Sequence, residues 1–189
     1  MADSPDQRSD LAVDYHDKAA AVASLTETAS AHDWARPSPC EGWTASDVVA
    51  HLIDTQRDFL TQHDLDRGPA SAGGDPGLRW TDHTTYVAGL LDDPQIAERT
   101  YDGFFGPTTI GDTMAQFYGW DMLCHRYDLG AAMGRDPELT DGELDEIEAA
   151  LPMFGEALRA PGICGPEVTV ASDAPRLVQV MARLGRDAR

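Results

Sequence analysis

Through most of the chain apolar residues recur at three- and four-residue steps, the spacing that lines one face of an α-helix. Leu11, Tyr15, Ala19, Val22 and Leu25 mark a long first helix over residues 10–33, after a polar stretch, 1–9, that reads as frayed. Two prolines and a glycine in ARPSPCEGWT interrupt the pattern and form a shaped loop. Thr44, with Asp47 three residues on, resembles a capping box for a second helix over 45–62, whose buried stripe holds Val48, Val49, Leu52 and Phe59. Residues 63–78, rich in Gly, Pro, Asp and Ala, keep no period and read as a long connection. A third helix begins after Thr81 and carries Tyr86, Val87, Leu90 and Leu91 until Asp92, Asp93 and Pro94 end it.

The crossing TYDGFFGPTTIGD leads into a fourth helix over 111–133, and Phe104 and Phe105 within it line a pocket or cover the end of the bundle. Thr140 with Glu143 is a capping box for a fifth helix, 141–159. The remainder opens with a Gly/Pro loop and a short extended piece, 168–171. It ends in a short helix capped by Asp173, with Leu177, Val180, Met181 and Leu184 facing inward. Five or six helices with almost no strand predict an all-α fold, a helical bundle with long crossovers. It forms a single domain over residues 1–189, with 160–189 an extension packed on the bundle.

Charge narrows the partners. Acidic residues outnumber Lys and Arg by 33 to 14, a net charge of −19 that repels phosphate backbones and anionic lipid heads. Nucleic acid and membrane are thereby excluded as partners, which leaves small molecules. The excess acid is spread along the chain, as a solubilising surface is. Lys18 is the only lysine among many Ala, Gly, Asp and Arg residues, the signature of a high-GC, actinobacterial type of genome. With no basic segment before an apolar run and no stretch of membrane-spanning length, a cytoplasmic protein is expected. Cys40, Cys124 and Cys164, odd in number and widely spaced, fit free thiols in a reducing compartment.

Candidate chemistry gathers in the fourth helix, in AQFYGWDMLCHRYDLGAAMG. At about 100° per residue, Asp121, His125 and Asp128 fall within a window of roughly 60°. A carboxylate and an imidazole one turn apart can hold the same divalent ion. His51, on the second helix, is the natural third ligand if the two helices pack, giving a His, Asp, His site with an open position. The other reading has Asp121 and Asp128 solvated, His125 paired with one of them, and His51 a satisfied core histidine. Single histidines such as His16 and His32 read as surface or capping side chains. Trp43, Trp120 and Tyr127 line a pocket or pack the core, and Cys40 is a fourth ligand, a reactive thiol or a buried small side chain.

Three segments, SPCEGWTASDVVAHL, WDMLCHRYDLGAAMGRDPEL and GPEVTVASDAPRLVQVMARLGRD, carry a family likeness in their order and spacing. They resemble the metal-binding relatives of mycothiol-dependent maleylpyruvate isomerase within the DinB/YfiT-like superfamily, over roughly residues 11–187. The resemblance implies a DinB/YfiT-like four-helix bundle with long crossover loops and a short extra C-terminal helix. It implies a divalent metal on His51, Asp121 and His125; zinc is the first choice and nickel the second because imidazole nitrogen suits both, and Asp128, which is not a ligand of the family, reads as orienting an imidazole. Characterised isomerases of this kind carry Glu where this chain has Asp121. The function implied is activation of a low-molecular-weight thiol such as mycothiol, or of water, for attack on a small electrophile. The resemblance thus implies a thiol-dependent transferase or isomerase. A metal-dependent hydrolase and a non-catalytic metal- or small-ligand-binding protein are the alternatives, and a homodimer follows the habit of related bundles.

Overall fold

Each of the middle helices begins where a side chain can take up free backbone N–H groups. The fold is that of a computed structural model describing residues 5–68, 74–160 and 162–187, with side chains from residue 11 onward. Helix α1 spans Pro5–Thr26, so the frayed segment expected over 1–9 gives way to helix at Pro5, and residues 1–4 lie outside the described residues. The first helix does not run on to residue 33. Ser30 and Asp33 form a reciprocal capping box that starts a separate turn, α2 (Ala31–Trp34), and a new helix start ends the old one. Thr44 and Asp47 do the same for α3 (Ala45–Gln62), with the Thr44 N–H on Asp47 Oδ2 at 2.8 Å.

Helix α4 (Pro76–Leu91) starts well before Thr81, because Asp75 accepts the Gly77 and Leu78 N–H groups and Pro76 sits at the first helical position, where it needs no donor. Of the connection before it, residues 69–73 lie outside the described residues. After a short α5 (Pro94–Ala97), the segment read as a plain crossing forms a hairpin, β1 (Thr100–Gly103) and β2 (Gly106–Thr109), paired antiparallel from Thr100↔Thr109 to Gly103↔Gly106. Phe104 and Phe105 occupy its tip, exposed, with Phe105 edge-on to Phe154. The fourth helix then proceeds in three pieces: α6 (Ile110–Asp112), a π-turn (Thr113–Phe117) and α7 (Tyr118–Met133). It stops at Gly134, whose φ of 68° lets the Arg135 N–H return to the Gly130 carbonyl at 2.8 Å.

Thr140 and Glu143 start α8 (Asp141–Phe154), and at Gly155 the path tightens into a 3-10 turn, Gly155–Arg159. The final helix, α9 (Arg176–Arg183), follows Pro175 with no side-chain cap; Asp173 lies outside the capping position. Residues 168–171 form no strand, and the Val168 N–H is spent on the Ala182 carbonyl at 2.9 Å.

Packing explains why α7 reads poorly as an amphipathic helix. It lies against α1 and α3 on one side and α8 on another, so that every residue from Tyr118 to Met133 except Asp121 and Ala131 is buried. One apolar cluster joins α1, α3, α4 and α7 through Tyr15, Val22, Val49, Leu52, Trp80 and Met122. A second joins α7, α8 and α9 through Trp120, Leu123, Ile147, Leu151 and Met181. Each fully buried large side chain contributes about 1.5–3 kcal/mol of transfer free energy. Lys18 is buried between Asp14 and Glu146, each at 2.7 Å, and its stem lies over Gly119, where an added Cβ would stand 3.2 Å from its Cδ and press on it. No helix among the described residues is long and apolar enough to cross a membrane.

Candidate metal centre

Three pieces of backbone converge on His125. The first is the loop before α3. It closes as a small hairpin, with the Ser38 N–H on the Trp43 carbonyl at 2.8 Å and the Trp43 N–H on the Cys40 carbonyl at 3.0 Å. Gly42 supplies the positive φ, 78°, that this turn requires at its third position. The loop brings the Trp43 indole over both imidazoles, its centroid 4.9 Å from His51 and 6.0 Å from His125. Two turns into α3, beside the buried stripe of Val48 and Leu52, stands His51, half-buried. Asp121 and His125 come from α7 one turn apart, Asp121 at the one polar gap in that helix's buried surface.

The structure brings these three together. His51 Nε2 lies 3.5 Å from Asp121 Oδ2, and His125 Nε2 lies 3.4 Å from Asp121 Oδ1. The imidazoles meet edge to face with centroids 4.9 Å apart, and one ligand atom from each residue lies within 4.8 Å of the others. Ligand atoms bound to a tetrahedral ion at about 2.0–2.2 Å stand roughly 3.3–3.6 Å apart. The two imidazole–carboxylate separations match that spacing, and the third pair lies within the same 4.8 Å bound, so the donor set fits a divalent ion.

On the other side of the ring, the His125 Nδ1–H donates to Asp128 Oδ2 at 2.9 Å. Asp128 is fully buried and is clasped by Arg186, with Nε on Oδ1 at 3.2 Å and Nη2 on Oδ2 at 2.8 Å. The Cys40 thiol also donates to Oδ2, at 3.3 Å. Cys40, His125 and Asp128 form a second group of metal-ligand type. Its carboxylate is already committed to a guanidinium, whose charge repels a cation, so the His51, Asp121, His125 group is the better cation site.

The charges follow from this layout. Burial works against a charged His125, but the Asp121 charge and the hydrogen bond to Asp128 outweigh it and push the ring up to about 10. Burial also opposes the Asp121 anion, yet His125 and then His51 hold its carboxyl below the usual carboxylate range. Asp128, also against the cost of burial, is held well below that range by His125 and Arg186. A cation held between Nε2 of His51, Nε2 of His125 and Asp121 would take the place of a proton on His125.

Not every expected residue joins the centre. Trp120 and Tyr127, seven positions apart on α7, share the face toward α8, about 100° around from Asp121. The Trp120 Nε1–H is on the Ile147 carbonyl at 3.3 Å, its ring packs on Phe154, and Tyr127 lies in the same α7–α8 cluster. Both are core residues rather than lining of the centre. Cys40 belongs with Asp128 rather than with His51. His16 and His32 are exposed, and His83 is buried on α4. The sequence reading missed Arg186, fifty-eight residues beyond Asp128. The signal that could have found it is the Leu184–Gly185–Arg186 end of an apolar helix, where a glycine turns the next residue back onto the fold.

Fold and site together define a mostly helical protein with a His, Asp, His group of metal-ligand type. Residues 15–98 match the family model of the mycothiol maleylpyruvate isomerase N-terminal domain, a DinB/YfiT-like family. The match takes in the Trp43 loop and His51 and stops short of Asp121, His125 and Arg186. Comparison with curated proteins and with solved structures gives no match.

Proposed function

We propose that the chain is a metal-dependent enzyme in which a divalent ion on His51, Asp121 and His125 activates a low-molecular-weight thiol of the mycothiol kind for attack on a small electrophile. What carries the reading is the convergence of those three side chains at ligand spacing in a chain whose first half matches the isomerase domain. In this reading α1, α3, α4 and α7 form the DinB-like four-helix core, and the three free thiols accord with the reducing cytoplasm. Three protein ligands leave a position open, where a bound ion supplies Lewis acidity and lowers the pKa of a thiol or water. The side chains divide the rest of the work. Asp128 holds the proton at His125 Nδ1 and so presents Nε2 as the ligand, while Trp43 covers both imidazoles and screens them from water. Zinc is the first choice and nickel the second, since imidazole nitrogen suits both.

The test is metal analysis of the purified protein followed by assay with mycothiol and electrophilic acceptors. The expected result is one divalent ion per chain and thiol consumption that disappears on chelation and returns with metal. Metal-dependent ester or amide hydrolysis without thiol would make the chain a hydrolase. Full metal content with no turnover of either kind would replace the enzyme by a binding protein.

A further inference from the structure

Arg186 reaches the centre by a backbone path that only glycine permits. Helix α9 closes with the Arg186 N–H on the Met181 carbonyl and the Gly185 N–H on the Ala182 carbonyl, each at 3.0 Å, the paired bonds of a Schellman turn. Gly185 has a φ of 81°, and a Cβ there would stand 2.7 Å from the Gly165 carbonyl oxygen. The two backbones touch, and no side chain fits between them. This turn sends Arg186 inward, where Nη1 is anchored on the Leu184 carbonyl at 3.0 Å while Nε and Nη2 fork across both oxygens of Asp128. A guanidinium only donates and an ionised carboxylate only accepts. The proton between Asp128 and His125 therefore sits on Nδ1, so Nε2, the nitrogen 3.4 Å from Asp121, is the one whose proton a metal ion would displace.

We propose that Arg186 is a positioning residue of the metal centre: its fork fixes the Asp128 carboxylate, which fixes the ring of His125 and keeps Nε2 aimed at the space shared with His51 and Asp121. The inference rests on the metal reading given above. It assigns a role to a residue that touches no ligand atom of that group. Its specificity lies in the fork: a lysine at this position would supply the charge without the planar pair of donors.

The experiment measures zinc affinity by competition with a chromophoric chelator, and the visible absorption of the cobalt-loaded protein. It compares the wild type with R186K, R186Q, D128N and the D128N/R186Q double variant. R186Q is expected to bind zinc about 10–100-fold more weakly, with a changed cobalt spectrum, as partners of metal ligands do when removed. R186K should fall between R186Q and the wild type, and the double variant should be no weaker than D128N alone, because Arg186 acts through Asp128. If R186Q loses its helical circular dichroism, R186K and the double variant, which buries no unpaired charge, carry the same comparison. Folded Arg186 variants with wild-type affinity and spectrum overturn the proposal and leave the metal reading standing. So does a further loss from R186Q in the D128N background. A wild type that binds neither zinc nor cobalt overturns the metal reading, and this proposal with it.

Discussion

His83 and His125 are equally buried, each 6 % exposed, yet their surroundings drive them in opposite directions. His83, on α4, donates from Nε2 to Gln56 Oε1 at 2.9 Å, and the Tyr15 hydroxyl donates to the same oxygen at 2.8 Å. Burial, followed by the charge of Arg57, lowers its pKa to about 4, and no carboxylate offsets that. His125 stands between two carboxylates and is raised to about 10. Burial therefore does not set the charge of an imidazole; its partners do. The neutral one is a hydrogen-bonding element of the core. The charged one holds a proton where a cation fits.

The largest effect should separate the two residues outright. H125A is expected to empty the metal site, while H83A keeps full metal content and instead loses about 2–4 kcal/mol of stability as a core truncation. Atomic absorption and urea unfolding of both variants check this, and unchanged metal content in H125A would remove His125 from the site. Next in size is removal of the metal. The cores on both sides of α7 do not depend on the ion, so chelation should leave the helical circular dichroism intact. Free zinc at a hundredfold excess over its Kd should restore about 2.7 kcal/mol of stability to the chelated protein. A collapse of the helical signal on chelation would make the site structural.

Most diagnostic is the pH dependence of the metal-free protein, whose acid arm is the smallest of these effects. His83 has a folded pKa near 4 against an ordinary 6.5, so the unfolded chain takes up its proton first as pH falls. Stability is then lost between pH 6.5 and 4, on the order of 2 kcal/mol by pH 5, and H83Q should flatten this arm. His125 has the opposite sign. Its contribution is complete below pH 6.5 and is lost as pH rises through about 10. Zinc should abolish this alkaline arm, because the ion takes the place of the proton. Urea titrations at pH 5, 7 and 9, with and without zinc, measure both arms, and an alkaline arm that persists with zinc bound would mean the ion does not displace that proton.

What was legible in the sequence follows from the range of the interactions involved. The starts of α3 and α8 could be read because a capping box is local: Thr44 with Asp47, and Thr140 with Glu143, carry both halves of the motif within four residues. The start of α4 was equally local but was obscured by composition, since Asp75 and Pro76, a cap and a first helical residue, closed a stretch that looked like loop. The hairpin escaped because its four-residue strands, TYDG and GPTT, are polar and glycine-bearing and show no alternation to detect. Asp121, His125 and Asp128 could be placed on one face by helical spacing alone. The contact with His51 could be named only on the condition that the helices packed. The Gln56–His83–Tyr15 cluster and the Arg186 fork join residues far apart in the chain, and no periodicity reports such pairings.

The π-turn at Thr113–Phe117 separates chain length from site geometry. It holds one residue more per turn than an α-helix would, and that excess, worth about 100° of rotation, is absorbed before Tyr118. Asp121, His125 and Asp128 are all counted from beyond it, so their mutual phase is that of an undisturbed helix. The hairpin and the start of the helical run are counted from before it. An added or lost residue in this turn would re-aim the hairpin around the helix axis and leave the three acid and imidazole groups in register: the turn is a joint at which the hairpin side of the fold can diversify while the chemistry stays in phase.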